Sequence, residues 1–379
     1  MRVVPHILHV AQPVEGGVAR VVADLAAAQL AAGWRVTVAA PPGGTLTDTL
    51  TALGCAVRRW DATRAPGPRL PGEVGRLARL VREVRPDLVH AHSAKAGLAA
   101  RLAVRGALPT VFQPHAWSFE AAGPVVNRMA LGWERWGARW ASRVLCVSEA
   151  ERRTGRRHGI RAEWRVVPNG VDTGRFRPEG GRADAEGAPL VVCVGRLCRQ
   201  KGQDVLLAAW PEVARRVPGA RLVLVGDGPD GERLRRGAPA PVRFAGAVAD
   251  AAPWYRAADV VVLPSRWEGM ALAPLEAMAC GRPVVVTDVA GAHESLPSAA
   301  RAACLVPPDD PGALARALTA LLLDAPLRAE LGALARAHTL AAHDLRRATD
   351  AVTDVYRELL GGPTAPVVGP YEGRKCIST

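Results

Sequence analysis

The stretch from Asp259 to Thr287 runs strand, loop, helix, strand, and a chain that repeats this order folds around a parallel sheet flanked by helices. DVVVLPS (259–265) is an unbroken apolar, β-branched run, the pattern of a buried strand. VVVT (284–287) is the next one, and Gly281 and Pro283 stop the helix before it. Pro274 suits the first turn of that helix, where its missing N–H is harmless. Two carboxylates lie between the strands, Glu268 in the loop and Glu276 one turn into the helix. Both therefore project from a strand's carboxyl end, where open α/β sheets bind ligands. The loop between them offers backbone N–H groups and a helix dipole to an anion. The pair suits a ligand that carries both hydroxyls and phosphates.

The same alternation covers most of the chain. Expected strands in the first half are 4–10, 35–39, 56–60, 88–91, 110–113, 144–148 and 165–168. Helical patterns fill 18–32, 71–85, 94–104, 125–140 and 149–158. GGRADAEGA (180–188) is small and polar, as a linker is. A second series follows, with strands at 190–194, 221–225, 243–245, 259–263, 284–287 and 304–306. Its helices are expected at 202–216, 231–236, 251–257, 273–279, 312–323, 327–338 and 344–360. The expected fold is two doubly wound, Rossmann-like α/β domains, 1–179 and 189–343, facing across a cleft, with a Gly/Pro-rich tail at 361–379. Such a cleft suits a two-substrate transfer in which closure excludes water.

Composition narrows the function classes. There is no run of about 18 uncharged apolar residues, so no membrane-spanning helix is expected. Pro5, His6, His9, Gln12 and Pro13 interrupt any signal-peptide core. The 7 cysteines are widely spaced without a CxxC, which points to a reduced, cytoplasmic protein without a zinc site. The net charge is +13, and residues 1–170 hold 24 Lys+Arg against 12 Asp+Glu. A basic first half attracts anionic lipid or anionic substrates, so peripheral contact with the inner face of a membrane is one reading. No recognition helix or aromatic–basic RNA platform suggests a specific nucleic-acid partner.

Other candidate residues stand at strand exits. Gly16 and Gly17 open the first helix and let backbone approach a ligand, although the segment is not GxGxxG. Arg196 and Lys201 lie in VGRLCRQKG (194–202). Lysine occurs only at 95, 201 and 375 in this arginine-rich chain, which suggests a compact point charge chosen at 201. Together the two cations could hold a diphosphate and stabilise it as a leaving group. His115, in PHAW (114–117), could bond a sugar hydroxyl or handle a proton. His90 and His92 share one strand face, but no third metal ligand is visible, so packing or hydrogen bonding is preferred. Trp133, Trp136 and Trp140 recur on one helix face. The reading favoured is a core-facing stripe, and the other is an interfacial surface. No D-x-D occurs, so no obligatory metal or other cofactor is expected.

These segments resemble the family 4 retaining glycosyltransferases of the GT-B fold across about residues 3–360. The resemblance rests on GGVAR (16–20), PHAW, VSEAER (147–152), VPNGVD (167–172), VGRLCRQKG, LVGDGP (224–229), SRWEGMALAPLEAMACGRPVV (265–285) and VAGAHE (289–294). It implies a nucleotide-diphosphate sugar donor, UDP- or GDP-linked, and retention of anomeric configuration. It implies that Arg196 and Lys201 bind the diphosphate, Glu268 the sugar hydroxyls and Glu276 the ribose. Gly16 and Gly17 would close over the phosphates, and the amides of Gly269, Met270, Ala271 and Leu272 would finish the anion site. His115 would face the reacting centre, and the helix 344–360 would cross back onto the first domain. Ala271 stands where the family often has glycine, which bears on donor identity. HAHSAKAGLAARLA (90–103) resembles a branch acting on polyprenyl-diphosphate-linked sugars, so a lipid-linked or polysaccharide-precursor acceptor is expected. The alternatives are a soluble transferase tailoring a small natural product, and a GT-B-type nucleotide-sugar epimerase or hydrolase.

Overall fold

A computed structural model describes residues 4–120, 124–183 and 187–361. The first series is β1 (His6–Ala11), α1 (Gly16–Ala31), β2 (Arg35–Ala40), α2 (Gly44–Ala52), β3 (Ala56–Arg59), α3 (Leu70–Val84) and β4 (Leu88–His92). It continues with α4 (Ser93–Val104), β5 (Thr110–Gln113), α5 (Pro124–Gly137), β6 (Arg143–Cys146), α6 (Glu149–Arg157) and β7 (Trp164–Val166). The second series is β8 (Leu190–Val194), α7 (Gln203–Arg216), β9 (Arg221–Val225), α8 (Gly231–Arg236), β10 (Val242–Gly246), α9 (Ala252–Ala257) and β11 (Val260–Leu263). Then come α10 (Leu272–Ala279), β12 (Val284–Thr287), α11 (Ala292–Ser295), α12 (Arg301–Cys304), β13 (Leu305–Val306), α13 (Pro311–Leu323), α14 (Ala325–Ala342) and α15 (Leu345–Leu359).

The strands form two all-parallel sheets, ordered β3-β2-β1-β4-β5-β6-β7 and β10-β9-β8-β11-β12-β13. Each order reverses once, between β1 and β4 and between β8 and β11. At such a switch point the loops diverge and leave a crevice beyond the strand ends. Both faces of the strands are covered, which is why their sequences are continuous apolar runs rather than alternating ones. Val191, Val192, Val260, Val262, Val284 and Val285 are all within 2 % of full burial. The helix α15 packs Val352, Val355 and Tyr356 into one cluster with Ile7, Leu25, Leu88 and Val111 of the first sheet.

Several features differ from the sequence reading. That reading has no helix at 292–295, at 301–304 or at 44–52, where the structure has one each, and the longest of these is 44–52. Leu46 and Leu50, one turn apart, are buried under it, and Glu15 caps its start by accepting from Thr45 N and Thr45 Oγ1, both at 2.9 Å. The threonine-rich sequence hid the pattern, because only two apolar positions carry it. The Trp133–Trp136–Trp140 face is only partly core, with Trp133 and Trp140 half-buried. The three rings pack against one another, and Trp136 is 43 % exposed beside exposed Val126 and Met129. Arg101 of α4 lies over the Trp133 ring at 5.2 Å, so the helical period marks a face that is covered at one end and open at Trp136. The tail 362–379, Cys376 and part of the linker (184–186) lie outside the described residues. The six described cysteines are free and buried.

Candidate active site

The second-domain half of the site is built by joining two strand exits. After β8 the chain forms a short turn, Arg199–Lys201, and then Gly202 adopts φ +65° to start α7. A Cβ on Gly202 would meet Pro264 O at 2.0 Å, so only glycine lets this turn lie against the exit of β11. Arg266 N donates to Gln200 O (2.8 Å), Gln200 Nε2 to Trp267 O (3.1 Å), and the Arg266 guanidinium binds both oxygens of Asp204. These bonds place Lys201 Nζ 2.5 Å from Glu268 Oε1, which also accepts from Ser265 Oγ at 2.8 Å. Glu268 is only 9 % exposed. A carboxylate this buried is tolerable because a cation and a hydroxyl share it.

Glu276, on α10, accepts from Tyr255 OH at 2.7 Å through Oε2. Burial raises its pKa, against that hydrogen bond and the charges of Arg20 and Arg175. Arg196 is half-buried, and its guanidinium makes no hydrogen bond or ion pair among the described residues. Arg64 of the first domain lies near enough for burial and the Arg196 charge to lower its pKa. The loop that carries Arg64 is pinned from below. The buried Lys95 pairs with Glu73 at 2.5 Å and donates to Ala65 O, while Glu73 Oε1 accepts from Thr63 N. The two guanidiniums are near enough to repel, and neither pairs with a carboxylate among the described residues, a combination that favours an anion.

The first-domain half comes from the exits of β1, β4 and β5. Gly16 has φ +79°, and a Cβ on Gly17 would touch Leu272 Cδ1 at 3.7 Å, so the glycine turn lies against the start of α10. His115 and Ala116 have φ +56° and +111°, strained values for residues with a side chain. The strain is held by Glu151, whose Oε1 accepts from Ala116 N at 2.7 Å, and by His92, whose Nδ1 lies 3.2 Å from His115 Nε2. Burial drives the His115 pKa down to about 3, so this imidazole is neutral at physiological pH.

The two halves meet at the Glu268 loop. A Cβ on Gly269 would come within 2.9 Å of Val147 Cγ2 and 3.0 Å of Ala116 N, so the absence of a side chain there permits contact. Ser148 Oγ donates to Gly269 O (3.1 Å) and Asn169 Nδ2 to Met270 O (2.8 Å). The Glu294 carboxylate accepts from Glu149 N and Ala150 N at the start of α6, where it also meets the positive end of the helix dipole. His343 Nδ1 contacts Asn169 O at 3.0 Å. Ser148, Asn169 and Glu294 belong to segments that resembled the family without a stated role. Their position identifies them as the joint between the domains.

Sequence matches decide the family. Residues 15–175 match the family described as Glycosyltransferase Family 4, and residues 188–324 match Glycosyl transferases group 1. The GDP-mannose-dependent alpha-(1-6)-phosphatidylinositol monomannoside mannosyltransferase of Mycobacterium tuberculosis is 36 % identical over 279 residues, covering 66 % of this chain and 70 % of that protein. The chain belongs to the family 4 glycosyltransferases. The lipopolysaccharide core biosynthesis mannosyltransferase LpsB of Rhizobium meliloti is a further relative, 31 % identical over 62 % of the glycosyltransferase and 70 % of its own length. Among solved structures, sucrose-phosphate synthase of Thermosynechococcus elongatus superposes with a TM-score of 0.79 at 25 % identity, covering 94 % and 99 % of the two chains. Anabaena HepE, solved with UDP and glucose, gives 0.76 at 24 % identity over 92 % and 98 %. The glycosyltransferase therefore has the GT-B fold and takes its sugar from a nucleotide-diphosphate donor. Among the described residues, no helix is long and apolar enough to cross a membrane.

The structure brings Glu268, Lys201, Gly269 and Met270 together with Ala116 and Gly17 at one junction, and Glu276 stands one helical turn beyond Leu272. Sequence reasoning did not find Ser265, Tyr255, Glu151 or His9. The signal for His9 was faint: a second histidine in an otherwise apolar strand, HILHVA.

Proposed function

We propose that this glycosyltransferase moves a hexose, with retention, from a nucleoside-diphosphate sugar to a hydroxyl of a lipid-linked or envelope-glycan acceptor. GDP-mannose is the first donor to try, because the M. tuberculosis relative uses it. Arg196 and Lys201 hold the diphosphate. The backbone amides of Gly269, Met270, Ala271 and Leu272 add N–H donors, and Gly16 and Gly17 close over the phosphates. Glu268 binds the sugar hydroxyls. Glu276, with Oε2 committed to Tyr255, offers Oε1 to the ribose. His115 faces the donor sugar.

In this mechanism the bond from the anomeric carbon to the diphosphate oxygen breaks first. Arg196 and Lys201 stabilise the charge that develops on the leaving group. The acceptor oxygen forms its bond to the same face of that carbon, and its proton passes to the departing phosphate oxygen. The single observation that carries the reading is the buried Lys201–Glu268 pair beside the unpaired Arg196. It sets one cation for phosphate and one carboxylate for hydroxyls within a single hydrogen bond of each other.

The acceptor reading includes contact with an anionic membrane surface. On α5 the exposed Val126, Met129 and Trp136 stand beside Arg135 and Arg139, the make-up of a helix face that rests at a lipid headgroup layer. The test is a panel of donors followed by nucleotide release, with and without membrane lipid extract. Release with GDP-mannose that rises with the extract supports the proposal. Sustained turnover with donor alone would indicate an epimerase or hydrolase, and lipid-independent transfer to soluble aglycones would indicate a tailoring enzyme.

A further inference from the structure

The face shared by β1 and β4 changes character along its length. Ile7 pairs with Leu88, His9 with His90, and Ala11 with His92. Its lower end is apolar, and its upper end is three fully buried imidazoles. Burial holds all three neutral: His9 is lowered to about 4, and His90 and His92 lie well below their ordinary value. A neutral imidazole has one N–H and one lone pair, so each ring in contact with another constrains it. His9 Nε2 lies 2.9 Å from Gln29 Oε1, His9 Nδ1 lies 3.0 Å from His92 Nε2, and His92 Nδ1 lies 3.2 Å from His115 Nε2.

We infer that Gln29, His9 and His92 form a chain of hydrogen bonds that locks His115 in its Nε2–H tautomer, so that His115 meets the donor sugar as a hydrogen-bond acceptor through Nδ1. The inference rests on the reading that His115 faces the donor. The amide oxygen of Gln29 can only accept, so His9 carries its proton on Nε2. His9 Nδ1 must then accept, which puts the proton of His92 on Nε2. His92 Nδ1 must accept in turn, and His115 donates from Nε2. The one free nitrogen of His115 is a lone pair, suited to a sugar hydroxyl and unsuited to a phosphate oxygen.

The direction of the chain depends on which end of the Gln29 amide faces His9, and the amide oxygen is the atom 2.9 Å from His9 Nε2. Tyr356 OH lies 2.5 Å from His90 Nδ1, so the last helix of the chain reaches this cluster of the first domain.

Two other readings of the cluster are weaker. A proton wire needs a basic terminus, and an amide oxygen is not one. A metal site is suggested by ligand atoms of His9, His90 and His92 within 4.8 Å of one another. Yet both nitrogens of His9 and of His92 already have partners, and three neutral ligands would leave a buried divalent cation uncompensated.

The test uses the full-length protein labelled with ¹⁵N-histidine, with long-range ¹H–¹⁵N correlation to read each tautomer. We expect His9, His92 and His115 all to be Nε2–H. Gln29→Met removes the acceptor that starts the chain, so His115 becomes a mixture of tautomers and kcat falls roughly fivefold, the loss of about one neutral hydrogen bond. A purely structural role for Gln29 would lower stability without moving the His115 signal. If Q29M fails to fold, the wild-type spectrum decides alone. An Nδ1–H proton on His115, or zinc retained in equal molar amount through chelator dialysis, overturns the inference. His115→Ala with full activity would instead sink the role proposed for His115, while leaving the tautomer assignment standing.

Discussion

Lys201 and Glu268 are joined at 2.5 Å, although their loops leave different strands and are 67 residues apart in the chain. The lysine is therefore positioned before a donor arrives, and its charge is what allows a carboxylate to remain buried beside it. Lys201→Ala removes both the proposed phosphate contact and that compensation. Transfer measured by nucleotide release should fall about 10²–10³-fold, the range for loss of one group stabilising a developing charge. A circular dichroism spectrum like the wild type's would separate this from unfolding, and retained full activity would falsify the diphosphate assignment.

Ser265 holds the other side of Glu268 Oε1. Ser265→Ala leaves the ion pair but loses one neutral hydrogen bond, worth roughly 0.5–1.5 kcal/mol. We expect kcat/KM to drop by roughly three- to tenfold, with a thermal midpoint close to the wild type. No change in either would mean that Lys201 alone orients the carboxylate.

Glu151 gives the enzyme a pH signature. Burial pushes its pKa up to about 7, partly offset by the bonds it accepts from Val147 N and Ala116 N. Its ordinary value is near 4.5, so between these two pH values the folded protein binds a proton that the unfolded chain has lost. Stability is then highest below the unfolded value and declines as pH rises through about 7. Comparing wild type with Glu151→Gln cancels the other groups. The wild type should lose stability relative to E151Q when urea unfolding is moved from pH 5 to pH 8. A constant difference between the two would show that Glu151 does not titrate in this range.

Arg101 and Glu134 form an ion pair, 2.7 Å long and 1 % exposed on both sides, that links α4 to α5. Glu134→Ala would strand the guanidinium in the interior, at a cost of about 3–5 kcal/mol. The urea midpoint should fall well below the wild type's. A double change to apolar residues of similar volume should recover much of the loss. A wild-type midpoint for E134A would mean that water reaches this pair.

The α5 face should govern lipid contact. Met129→Glu with Trp136→Glu places two negative charges on the exposed apolar strip, so flotation with anionic vesicles should fall severalfold. Transfer to a water-soluble acceptor should be unaffected. Unchanged flotation would assign any membrane contact to another surface.

Several features were legible because they sit inside strongly patterned βα units. The runs 190–194, 259–263 and 284–287 announce buried strands, and Glu268, Lys201 and His115 were singled out because each follows one. The Trp133 stripe shows the limit of that reasoning. Its spacing identified a helix face correctly, but burial of a face depends on whether another element covers it, and periodicity carries no information on that. The helix 44–52 escaped notice for the converse reason, since its stability comes from Leu46, Leu50 and a cap supplied by Glu15 of another loop.

Fold class and the strand exits from which the candidate residues emerge can be read along the chain, because backbone periodicity and local turn chemistry are short-range properties. Which of these residues touch is set by how the strands and domains come together. His9 meets His92 because β1 lies next to β4. Asn169 and Ser148 hold the Glu268 loop because the two sheets face each other. Tyr356 reaches His90 because α15 returns across the first domain. Those contacts follow from strand order and domain packing, which arise from the burial of whole surfaces, and burial of surfaces is a non-directional effect that leaves no mark at any single position in the chain.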